Sequence, residues 1–283
     1  MEKTLISFDY AIKDVLREKA NFDVLSGLLS ELLKKDVVVQ ELLESESNPN
    51  GEIGKSNRLD LKAKINDGEI AIFEIQSSTE SDFFHRILWG TSKTIVEQLS
   101  KGDNFGGIKK VYSIDIVYFE LGKGNDYIYH GFTEFKGLHN AETLLLSAKE
   151  IKYLPSCQDE IKKVNASEIF PEYYLIYPNR FDENIKDKFD EWVYFFKNSK
   201  VKVDFSAKGI QEASEKLAIE KMTAAEKNDY EVFVKSERIK SNEIETAKFE
   251  GKAEIAKNLV NLGMPIEQIA QATGLSVGQI GAL

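Results

Sequence analysis

The chain has 283 residues, 42% hydrophobic and 30% charged, with a formal net charge of -10. That is enough for one substantial core plus a small appended module, and it excludes disordered, collagen-like and disulfide-stapled classes. The acidic balance excludes a chain that coats nucleic acid by bulk charge, so any nucleic-acid contact must be local.

No apolar run reaches the ~20 residues of a membrane-spanning helix, and residues 1–9 lack the basic-then-apolar layout of a secretory signal. A single cysteine, Cys157, fits a reducing compartment, so the expectation is a cytoplasmic protein without a membrane partner. His85, His130 and His139 have no helical i, i+4 partner and no neighbouring cysteine, which argues against zinc.

In chain order, residues 7–18 and 22–35 carry apolar side chains at three- and four-residue intervals, such as Leu25, Leu28, Leu29 and Leu32, and predict two helices. Residues 37–43 are β-prone, and 45–57, rich in Ser, Asn and Gly, read as a surface loop. Residues 58–65 alternate strictly: Leu59, Leu61, Ala63 and Ile65 on one face, Arg58, Asp60, Lys62 and Lys64 on the other. Asn66-Asp67-Gly68 is turn chemistry, and 69–76 resume as a second strand, so the pair predicts a β-hairpin.

Ser81 then caps a helix expected to run to about residue 100. Residues 110–120 predict a third strand, apolar on both faces as a buried central strand is, and 127–135 a fourth. Between 141 and 202, helical and aromatic segments alternate and read as core packing around the sheet, without chemistry. From Gly209 the composition turns to Ala, Glu and Lys, so a domain of residues 1–205 is expected, followed by a charged helical linker and small helical tail over 206–283. Residues 266–283 read as helix, tight turn, short helix.

The hairpin carries the chemistry. With a three-residue loop Ile65 faces Glu69, and counting outward sets Asp60 opposite Glu74, on one side of the sheet. Two carboxylates whose Cβ atoms stand about 4.5–5.5 Å apart repel unless a cation or a shared proton compensates. A hard divalent ion such as Mg²⁺ uses one or two carboxylates and fills its shell with water and phosphate oxygens. A two- or four-residue loop would put the acids on opposite faces, so the inference depends on register. Lys62 and Gln76 fall on the same face. Ile70 and Ile72 also share it, so Glu74 is expected to be at least partly buried; the alternatives are a wet sheet face or a structural Lys62 ion pair.

Arg58-Leu59-Asp60, a hairpin and Glu74-Ile75-Gln76 resemble the core of the PD-(D/E)XK nucleases, in the branch of recombination-promoting nucleases or transposases. Phe8-Asp9-Tyr10-Ala11-Ile12-Lys13, Gly54-Lys55-Ser56, Arg86 and the 251–270 tail are similar to recurrent features of that branch. The resemblance implies a restriction-endonuclease-like α/β fold, a mixed β-sheet flanked by helices, and hydrolysis of DNA phosphodiesters with Mg²⁺, or Mn²⁺ in its place.

It also implies that Asp60 and Glu74 bind the metal, that a further acid comes from an N-terminal helix, for which Glu31 is the candidate, and that Asp9 has a role. Gln76 stands where the superfamily usually has lysine; an amide orients water but cannot stabilise developing negative charge, which Lys62 is then expected to supply. Lys55, Arg58, Arg86 and Lys93 are the candidate phosphate contacts, with a core ion pair as the alternative for Arg86, while Phe83, Phe84, Ile87, Leu88 and Trp89 are assigned to the core. Two other readings compete: an inactive nuclease-fold scaffold, and a regulatory DNA-binding protein acting through its tail. The second tail helix has no basic residue, so docking or homo-oligomerisation is the alternative there.

Overall fold

In the computed structural model, residues 5–13, 15–43, 60–77, 79–151 and 164–283 are described. The expected 45–57 loop and Cys157 lie outside them. Two compact units are present, Met1–Met222 and Thr223–Leu283.

In the first unit, α1 (Phe8–Lys13) gives way to two short 3-10 turns, Val15–Arg17 and Lys19–Asn21, where the sequence predicted one helix, and α2 (Phe22–Leu33) follows. The first three strands among the described residues are β1 (Val39–Leu43), β2 (Leu61–Ile65) and β3 (Glu69–Gln76). Helix α3 (Phe83–Val96) leads to β4 (Val111–Val117) and β5 (Ile128–Gly131). A single turn, α4 (Ala148–Ile151), precedes β6 (Glu172–Ile176), α5 (Lys188–Asn198) and α6 (Ile210–Lys216).

Among the described residues the strands form one six-stranded sheet in the order β1-β2-β3-β4-β6-β5. The pairs β1–β2, β2–β3 and β5–β6 are antiparallel, while β3–β4 and β4–β6 are parallel. The sheet is therefore mixed and helix-flanked, as expected. Strand β6 corrects the sequence reading, which took its tyrosines for core packing; it sits inside the sheet with β4 on one side and β5 on the other.

The hairpin has the three-residue loop. Ile65 faces Glu69 and Leu61 faces Phe73, with Asn66 at φ 42° and Gly68 at φ 96° making the turn. Glycine adopts that left-handed conformation without a Cβ penalty, which fixes this register over its neighbours. On one face, Ile70, Ile72 and Val111 pack with Ile95 of α3, and Val117 and Tyr177 pack with Phe83 and Ile87 of the same helix. On the other, the Tyr112 hydroxyl accepts from Lys35 at 2.7 Å and the Tyr118 hydroxyl donates to the Phe196 carbonyl at 2.9 Å. These bonds tie the sheet to the ends of α2 and α5, where Phe8 of α1 packs on Phe195 and Phe196.

Residues 206–222 belong with the first unit, so its boundary falls later than the sequence reading set it. Ile210, Ala213 and Leu217 are buried, and a Cβ on Gly27 of α2 would stand 2.5 Å from the Gly209 Cα, so the approach to α6 is locked into the core. In the second unit, α7 (Ala224–Asn261) starts at a Thr223 capping box, and α8 (Ile266–Thr273) and α9 (Val277–Gly281) turn around Gly274. Ala256, Ile269, Leu275 and Ile280 form its small core. Among the described residues no helix is long and apolar enough to cross a membrane.

Candidate active site

Glu74 lies near the C-terminal end of β3, 5% exposed. The ladder ends at Leu61 opposite Phe73, and Asp60, expected within the strand, precedes it in a bend: its N–H donates to the Phe73 carbonyl at 3.1 Å, and its Oδ2 accepts the Ile75 N–H at 2.6 Å. The Asp60 carbonyl in turn accepts from Arg17 Nη2 at 2.7 Å. Backbone and side chain of Asp60 are thus both held against the strand that carries Glu74.

The adjoining strand adds an acid that sequence reasoning missed. β3 and β4 run parallel with Glu74 beside Asp115, which is 1% exposed and accepts a hydrogen bond from the Ser113 hydroxyl at 3.0 Å. Its signal was one acid in a buried, mostly apolar strand, but its neighbour became identifiable only once the crossover through α3 set the register.

Burial pushes the Glu74 carboxyl up to about 8; the Arg86 guanidinium opposes the rise, and the charges of Asp60, Asp115 and Glu80 add to it. Burial likewise pushes Asp115 up to about 7, against the Ser113 hydroxyl and Arg86. Arg86 reaches back from α3: Nη2 donates to Glu74 Oε1, and Nη1 donates to both oxygens of Glu80 at 2.8 Å. Burial works against its charge, but Glu74 and Glu80 outweigh that and hold the proton more firmly than usual. Gln76 Nε2 donates to Glu80 Oε1 at 2.8 Å. Asp60, Glu74, Gln76, Arg86, Glu80 and Asp115 therefore make one constellation, of which Glu80 and Asp115 were not anticipated.

The remaining candidates lie elsewhere or outside the described residues. Lys62 is buried on the Glu74 face, but its Nζ donates to Glu97 Oε2 at 2.8 Å; Lys93 approaches Glu97 at 3.7 Å. Glu31 is tied to the start of α6 instead of the hairpin, its Oε1 accepting the Lys208 N–H at 2.8 Å. Asp9 sits on α1, where its charge acts on the Tyr118 hydroxyl, whose hydrogen bond leads to α5. Lys55 and Arg58 lie outside the described residues. Phe84, Leu88 and Trp89 are exposed, not core: α3 buries Phe83, Ile87, Gly90, Thr91 and Thr94, and its other faces look outward.

The groups in the constellation that could ligate an ion are hard oxygens, those of Asp60, Glu74, Glu80, Asp115 and the Gln76 amide. Among the described residues no three Asp, Glu, His or Cys groups form a ready metal cage. Mg²⁺ needs only one or two carboxylates and keeps its waters, so Asp60 with Glu74 fits such an ion, and a cation would offset both the burial that chiefly raises Glu74 and the smaller repulsion from the neighbouring acids.

A family model described as PD-(D/E)XK nuclease family transposase matches residues 6–247 and ends before α8 and α9. No curated protein and no solved structure matches the chain. With the mixed sheet, the acid-bearing hairpin and a family match spanning most of the sequence, the chain belongs to the PD-(D/E)XK nuclease family of transposases.

Proposed function

We propose that this chain is a divalent-metal-dependent DNA endonuclease that hydrolyses phosphodiester bonds, acting in the cytoplasm in recombination, transposition or defence against mobile DNA. The observation that carries the reading is the pairing of Asp60 with the Glu74 strand beside Arg86.

Asp60 and Glu74 would hold the ion, Mg²⁺ or Mn²⁺, which when bound supplies Lewis acidity and a water of lowered pKa. The hairpin's contribution is to hold the Asp60 carboxylate against the strand that carries Glu74, with the Ile75 N–H fixing its orientation. Gln76, whose amide N–H donates to Glu80, would position the attacking water. Arg86 is the cation at the acids and would meet the charge that develops on the phosphate, the task the sequence assigned to Lys62. Lys93 on the same helix, with Lys55 and Arg58 before the first acid, would contact the DNA backbone. The tail would serve docking or self-association.

A second reading, an inactive scaffold, draws on one observation: Arg86 already occupies Glu74, and no lysine follows Glu74 in the motif. One experiment separates the two. End-labelled duplex DNA is incubated with wild type and Asp60→Ala in Mg²⁺ and in chelator. Cutting by wild type in Mg²⁺ alone supports the enzyme; DNA left intact in every arm supports the scaffold.

A further inference from the structure

Glu80 belongs to no motif, yet it contacts two of the groups on which the proposed chemistry turns. It lies between β3 and α3, where one carboxylate accepts from Gln76 Nε2 and, through both oxygens, from Arg86 Nη1, all at 2.8 Å. The other arm of the same guanidinium donates to Glu74. We propose that Glu80 is a positioning residue that sets how strongly Arg86 competes with a divalent cation for Glu74. The proposal rests on the reading of Asp60 and Glu74 as cation ligands.

A guanidinium is a planar fork with five donors, and here it is divided between two carboxylates on different elements. A cation arriving at Glu74 must displace one arm of that fork. With Glu80 present, Arg86 lets go of Glu74 and keeps its two hydrogen bonds to Glu80, beside the site and still charged. Without Glu80 the fork loses the two hydrogen bonds that hold Nη1 away from Glu74, and the guanidinium competes more strongly for Glu74. Glu80 therefore favours cation entry without touching the cation, and it leaves the guanidinium parked where a phosphate would meet it.

The same carboxylate fixes Gln76. Because Glu80 only accepts when ionised, it selects the amide orientation that turns N–H toward it. An amide in place of Glu80 could donate as well as accept, and that selection would vanish.

The test measures Mn²⁺ binding to the full chain by electron paramagnetic resonance, for wild type, Glu80→Ala, Arg86→Met and the double variant. Glu80→Ala should weaken Mn²⁺ binding about tenfold, within the range for residues that orient a ligand from behind. Arg86→Met should bind more tightly than wild type, and the double variant should match Arg86→Met to within about twofold, because without the guanidinium no competitor for Glu74 is left for Glu80 to hold back. A double variant as weak as Glu80→Ala would overturn the proposal by making Glu80 a direct ligand or a structural brace. So would Glu80→Ala binding at wild-type strength. Glu80→Gln, of the same shape but uncharged, serves if the alanine variant does not fold, with a smaller weakening in the same direction expected. Wild type that binds Mn²⁺ but cuts no DNA would overturn the nuclease reading alone; wild type that binds no Mn²⁺ would overturn both.

Discussion

Glu74 and Asp115 stand side by side in register on adjacent parallel strands, both nearly sealed from solvent, with Arg86 the cation that offsets their charge. Both are raised above their unfolded values, to about 8 and about 7, first by burial. At neutral pH the metal-free fold therefore resists full ionisation of the pair, and the unfolded chain does not.

The sign of the resulting pH dependence follows. Where the folded state holds a proton that the unfolded state has released, stability falls as pH rises. The contribution of these two acids is fully present below the unfolded values of 4.5 and 3.8 and is lost as pH climbs through about 7 to 8. Metal-free thermal melts should therefore decline across pH 5 to 8 (a window set by those values). Glu74→Gln, neutral at every pH, should flatten that decline; an unchanged slope would contradict the burial of Glu74.

Arg86 and Lys62 compete for one role. Arg86 touches Glu74, while Lys62 is bound to Glu97. Arg86→Ala should lower kcat by about 100-fold, as loss of a transition-state donor does, and Lys62→Ala by less than about tenfold. Steady-state cleavage kinetics of the two variants check the order. A larger loss for Lys62→Ala would return the charge-stabilising role to the lysine.

Trp89 offers a direct view of the DNA path. It is 63% exposed, and it sits three residues after Arg86 and four before Lys93 on one helix, spacings that make the three surface neighbours. The chain's other tryptophan, Trp192, is 0% exposed. Metal-free addition of a short duplex should quench or shift tryptophan emission, and Trp89→Phe should abolish the change. A change that survives the substitution would place DNA elsewhere.

Gly27 tests the packing of α2 against the segment before α6. An added Cβ would stand 2.4 Å from the Lys208 carbonyl oxygen, backbone that cannot swing aside. Gly27→Ala should cost about 2–3 kcal/mol in urea unfolding, the scale of an overpacked core. Wild-type stability would show that residues 206–222 are not locked to the first unit as described.

How much of this was legible in the sequence depended on whether a residue's neighbours were local. The hairpin was, because strict alternation from Asp60 to Ile65 and the turn residues Asn66 and Gly68 specify face and register within one short segment. Asp115 was not, since its place beside Glu74 depends on a parallel crossover that alternation cannot specify. Strand β6 was hidden for a related reason: Tyr173, Tyr174 and Leu175 are β-prone, but aromatic runs serve helix cores equally well. Trp89 and Phe84 show the converse error, in which aromatic character was taken for burial although the helical period turns them outward. Glu80 matched no motif, and only its contacts mark it.

The most direct test of the central claim is plasmid cleavage in Mg²⁺ by wild type and Glu74→Gln, side by side. The account predicts that wild type converts supercoiled plasmid to nicked and linear forms and that Glu74→Gln leaves it supercoiled. Equal cutting by the two proteins would contradict it.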